Sequence, residues 1–145
     1  MVMEIDYKFI KSVLDEIKTL QNPYADSDIL YKKYLGGDDD GKRRFIFHWH
    51  LIIENGLIST NKSPVFDLKS SGLISGPQNP LRFTLVSPPI RLTSLGIEFL
   101  QSLQEPKVLE VIVDKFKDEG FSVVLDISKQ LGMKLLNKKL EGIDL

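Results

Sequence analysis

The stretch from Gly41 to Thr60, GKRRFIFHWHLIIENGLIST, constrains this chain most. With Phe45 facing a core, a step of about 100° per residue brings Trp49 and Ile52 to the same side of a helix and leaves Ile46 and Ile53 on its flank. The opposite side carries Phe47, His50 and Glu54, with Leu51 beside them. A helix that is apolar nearly all round is usually covered on more than one side. Asn55-Gly56 then stops it, glycine taking the left-handed turn at low cost. Leu57 to Thr60 continues as a β-prone segment, so a helix expected over Lys42 to Asn55 feeds directly into a strand.

Upstream, Ile5, Phe9, Ile10, Val13, Leu14, Ile17 and Leu20 recur at threes and fours, which predicts an amphipathic helix that Asn22-Pro23 terminates. Asp26 or Ser27 is suited to cap a short second helix through Leu35, closed by Gly36-Gly37. Asp38-Asp39-Asp40-Gly41 suggests a calcium loop, but with Gly41 at the loop glycine the first ligand position falls on Gly36 and the bidentate glutamate position on Phe47. The run therefore reads as a solvated acidic loop whose last aspartate caps the third helix.

Downstream, residues 61–89 are rich in Ser, Gly, Pro and Asn, with β-prone islands at Pro64 to Leu68 and Leu81 to Val86. They read as a long irregular hairpin returning through Ile90-Arg91-Leu92. Thr93 caps the next helix, which Glu105-Pro106 breaks. Another helix is expected over Lys107 to Glu119 and a last one from a Ser122 cap to about Leu140.

A chain of 145 residues, 42% hydrophobic and 27% charged, is the size and composition of one globular domain. Without cysteine it has no disulfide, thiolate zinc site or cysteine nucleophile, and it suits a reducing cytoplasm. No signal peptide is evident, and no run approaches about 18 apolar residues. The expected location is cytoplasmic, without membrane partners.

The net charge of -1 is unevenly spread. Lys42 to Thr93 holds seven basic against two acidic side chains, net +5, leaving -6 for the remainder. A local basic face suffices for a polyanion, because fields are screened within about 8 Å.

The element order defines the expected fold: α+β, mainly α, a winged helix-turn-helix with a long β wing and additional C-terminal helices. It forms a single domain over 1–145, with a winged-helix core at about 4–104 and a helical extension at about 106–141. Three blocks resemble a bacterial and phage family catalogued as domain of unknown function 2513. They are Phe47-His48 through Gly56-Leu57-Ile58, then Arg91-Leu92-Thr93 with Gly96 and Phe99-Leu100, then Ser122 with Leu125-Asp126 and Lys138-Lys139-Leu140. Ser94 stands where that family often has an aromatic residue, and the wing is longer. The resemblance implies a fold and a prokaryotic or phage setting; it brings no functional residues.

No motif for chemistry is present. His48 and His50 lie about 200° apart on a helix and lack a third ligand at recognisable spacing. Gly72-Leu73-Ile74-Ser75-Gly76 has its glycine at the wrong offset for a nucleophile elbow, and no glycine pair ends in Gly-Lys-Ser/Thr. The expectation is a non-enzyme without cofactor or metal. The first functional reading is a DNA-associated regulator, a dimer on duplex DNA, with Lys42, Arg43 and Arg44 at the amino end of the third helix and Lys62, Lys69 and Arg82 in the wing contacting phosphates. The alternative is a protein-interaction or dimerisation module that leaves DNA alone, because Phe47 and Leu51 stand where a base-reading helix would show Arg, Asn, Gln or Ser, and because helices added after Arg91 can form an isologous interface.

Overall fold

The computed structural model describes residues 2–145. Helix starts are set mostly by short polar side chains. Asp6 caps α1 (Tyr7–Leu20), its carboxylate accepting from the Phe9 amide at 3.0 Å, and the helix buries Tyr7, Ile10, Val13, Leu14 and Ile17. It ends at Gln21, just ahead of Asn22-Pro23. Strand β1 (Ala25–Asp26) follows, and Asp26 then caps α2 (Ser27–Leu35) by accepting from the Asp28 amide at 2.9 Å.

Helix α3 (Asp39–Glu54) starts three residues earlier than the sequence reading placed it. Asp38, not Asp40, is the cap, accepting from the Gly41 amide at 2.8 Å. Asp39 and Asp40 occupy the first turn, where the positive end of the helix dipole favours them. The acidic run is therefore helix rather than loop. At the other end Gly56 takes φ 69°, the left-handed stop expected there.

Strands β2 (Ile58–Thr60) and β5 (Pro89–Leu92) pair antiparallel, Ile58 opposite Leu92 and Thr60 opposite Ile90. Strand β1 adds to the far edge of β5, giving a sheet in the order β1-β5-β2 with Ala25, Ile58, Ile90 and Leu92 buried. Between β2 and β5, β3 (Leu73–Ser75) and β4 (Phe83–Leu85) form a separate hairpin. The island at Leu81 to Val86 contains β4. Pro64 to Leu68 forms no strand and makes only one bridge, Ser59 to Pro64. Its backbone is taken by local side chains instead: Ser70 Oγ accepts from the Phe66 and Asp67 amides, and the Asp67 carboxylate from the Ser70 amide at 2.7 Å. Such bonds compete with a strand ladder.

Thr93 caps α4 (Ser94–Gln104), as expected, accepting from the Gly96 amide at 3.1 Å. Pro106 opens α5 (Pro106–Lys115), and α6 (Phe121–Glu141) follows it. Ser122 does not cap α6. The helix begins at Phe121, whose ring is buried between Tyr7 and Phe99 at centroid distances of 6.0 and 5.5 Å. That burial places Ser122 inside the first turn.

The fold is α+β, with six helices and small antiparallel sheets among the described residues. One core holds side chains from every helix: Ile10 and Leu14, Leu30 and Tyr31, Phe45 and Trp49, Phe99 and Leu103, Ile112, and Phe121 with Val124. Helix α4 sits between α1, α5 and α6. Among the described residues no helix is long and apolar enough to cross a membrane.

Candidate functional site

The basic residues singled out in the sequence do not gather on one surface. At the amino end of α3 each cation has a nearby carboxylate. Lys42 Nζ lies 3.9 Å from Asp39, and Arg43 3.2 Å from Asp40. Arg44 pairs with the Asp6 carboxylate, and its guanidinium lies over the Phe9 ring at 4.2 Å. Arg44 thus ties α3 to the start of α1. Counting Asp38 to Asp40 with the helix they belong to lowers the net charge of the Asp38 to Thr93 segment to +2, seven basic against five acidic side chains.

His48 is buried beside this pair. Its Nε2 accepts from the Asp6 amide at 2.9 Å, and its Nδ1 lies 2.7 Å from the Arg44 carbonyl, an arrangement suited to the neutral ring with its proton on Nδ1. Burial pushes the His48 pKa below its usual value, outweighing the carbonyl contact and the Asp6 charge that raise it. Asp6 is itself half-buried, which raises its pKa, but the Phe9 amide and Arg44 bring the net value below the usual aspartate range. His50 is exposed and remote from this network in role. Among the described residues no three acidic or imidazole side chains are grouped to hold a metal ion.

Phe47 and Leu51 are half-buried, not an open patch. Phe47 meets the His48 ring edge-on at 5.1 Å. The segment between β2 and β5 lies on the Trp49 side of α3 and does not project freely. Tyr31 Oη donates to the Ser71 carbonyl, Trp49 Nε1 donates to Ser71 Oγ at 3.3 Å, and Val65, Ser71 and Leu73 are buried. Ser71 therefore pins this segment onto α2 and α3.

Of the cations in that segment, Lys62 and Lys69 are exposed away from both clefts described next, and Arg82 stands at the mouth of one of them. This cleft, of about 280 Å³, lies between the end of α2, the start of α3 and strand β4. Lys42 and Arg82 meet there, joined by Lys32, over a floor of Leu35, Phe83 and Leu85. A larger cleft of about 830 Å³ runs between the chain ahead of α1, the start of α3 and Val113 and Lys117 near the end of α5; Arg43 and Arg44 line this one. So the six cations divide among two clefts and open solvent.

Sequence reasoning missed Lys32 and missed a surface on α6. Phe121, Val124 and Ser128 face the core, whereas Met133, Leu136 and Leu140, at threes and fours on another face, are 49%, 46% and 55% exposed. Their spacing was a signal, hidden by the parallel set Val124, Leu131 and Leu135 that covers the core side. The chain matches no protein-family model, no curated protein and no solved structure.

Proposed function

We propose that this chain is a winged-helix association module that pairs with a second copy of itself through α6. The winged-helix reading is supported by the element order α1, β1, α2, α3, β2, β5 and by the strand order β1-β5-β2. The three blocks that resemble domain of unknown function 2513 fall on α3 with β2, on β5 with α4, and along α6.

The observation that carries the association reading is the exposed stripe Met133, Leu136 and Leu140 on the far half of α6. The stripe is self-complementary when run antiparallel. The register that sets Met133 against Leu140 brings two Leu136 side chains beside the twofold axis. Lys139 does not interfere, being turned toward Glu105 at 3.9 Å. So short a stripe buries less than the roughly 1,000 Å² of a stable interface, which makes a weak, concentration-dependent dimer the expected state.

Light scattering tests this. The wild type moves from monomer toward dimer as concentration rises to hundreds of micromolar, and Leu136→Asp stays monomeric with an unchanged circular dichroism spectrum. A wild type that is monomeric throughout, or a variant that dimerises equally, contradicts the reading.

Duplex DNA draws less support. The amino end of α3 carries three aspartates beside its three cations, and Arg44 is engaged with Asp6 and Phe9. Electrophoretic shift of random duplex at low salt is expected to be absent at micromolar protein; a shift abolished by Arg43→Ala with Arg44→Ala would restore the DNA reading.

A further inference from the structure

The cleft between α2, α3 and β4 has no part in self-association, and its composition is unusual for an idle surface dent. Among the described residues Lys42 and Lys11 are the cations drawn furthest out of water, both half-buried where the other lysines and arginines are exposed. The Lys42 side chain retains 26% of its exposure, and its only paired carboxylate, Asp39, is 3.9 Å away and 66% exposed. An ammonium drawn partly out of water favours a closer anion than that. Arg82, exposed and in no ion pair among the described residues, lines the same cleft, as does Lys32, held 2.7 Å from Asp28. Beneath them Leu35, Phe83 and Leu85 are half-buried, with the buried Tyr31 ring behind.

A cleft with cations at its rim and an apolar floor recognises a ligand of matching polarity, and a volume of about 280 Å³ suits a small molecule rather than a peptide. We propose that this cleft binds a small amphipathic anion, a phosphate monoester or carboxylate on a compact apolar or aromatic group, with Lys42 and Arg82 on the anion and Leu35, Phe83 and Leu85 against the apolar body. The site is built from α2, α3 and the hairpin together, so a ligand there would also fix the hairpin against the helices.

Phenyl phosphate is a suitable probe, followed through backbone amide chemical shifts. Saturable shifts are expected at Gly36, Lys42, Arg82 and Phe83. Lys42→Met and Arg82→Gln should each weaken the titration about tenfold, the effect of losing a charge-assisted hydrogen bond, while the amide spectrum shows that each variant stays folded. Benzyl alcohol and inorganic phosphate should bind more weakly than phenyl phosphate. The proposal is overturned if these amides do not titrate, if inorganic phosphate alone matches phenyl phosphate, if both variants titrate like the wild type, or if only duplex DNA moves these amides. Failure here leaves the α6 pairing untouched, since the two rest on different residues.

Discussion

His48 shows how much one buried ring can hold. It joins α3 to the start of α1 by bonding the Asp6 amide, while Arg44, one turn earlier, takes the Asp6 carboxylate. His48 is buried and His50 exposed, on the opposite sides that their two-residue spacing sets on a helix. The partner of His48 was not legible, because Asp6 is 42 residues away. A pH effect follows. Because the folded chain holds the His48 pKa below 6.5, the unfolded chain takes up the proton first as pH falls. Stability is therefore complete above about pH 6.5 and declines as pH drops toward the folded value. Asp6 acts in a separate window: its lowered pKa adds stability that is present above 3.8 and lost only at more acid pH. Urea midpoints compared at about pH 7.5 and about pH 5.5 should fall for the wild type and change less for His48→Gln; equal slopes would remove His48 from the account.

At the scale of elements, the helices were far more legible than the strands. Helix periodicity and caps depend on neighbours a few residues apart, and α1, α2 and α4 start where Asp6, Asp26 and Thr93 allow. At α3 three adjacent aspartates are all eligible caps and local pattern does not choose among them, while at α6 the burial of Phe121 draws the helix start to Gly120. The strands are short and paired across long loops, and β1, two residues long, becomes a strand only because β5 lies beside it. Packing between elements also reverses an ordinary helix rule. Alanine normally outranks glycine inside a helix by up to about 1 kcal/mol. At Gly132 of α6 an added Cβ would meet Ser102 Oγ at an acceptable 3.4 Å, so Gly132→Ala should raise the melting temperature. At Gly96 of α4 it would come within 2.2 Å of the Leu57 carbonyl oxygen, and Thr93 Oγ1 fastens the same junction by donating to the Gly56 carbonyl at 2.6 Å. Gly96→Ala should therefore destabilise by about 1–3 kcal/mol in spite of its better propensity. Thermal melts that moved both variants in one direction would contradict this close approach.

On the scale of the whole molecule, charge and exposure depend on boundaries that sequence alone draws poorly. The basic segment shrinks from +5 to +2 once the aspartates of α3 are included, and Phe47 and Leu51 turn out half-buried. Ser71 fastens the segment between β2 and β5, read from sequence as a long irregular hairpin, to Tyr31 and Trp49, contacts 40 and 22 residues apart that no local pattern announces. The second face of α6 lies outside the core. The absence of cysteine makes that face open to a direct test, since a single introduced thiol has no competitor in the chain. Asn137 lies beside Leu136, next to the twofold axis of the antiparallel pairing. Asn137→Cys under mild oxidation should therefore convert largely to a covalent dimer, and adding Leu140→Asp should prevent it. A yield no higher than that of Asn61→Cys, an exposed position outside α6, would contradict self-association through α6.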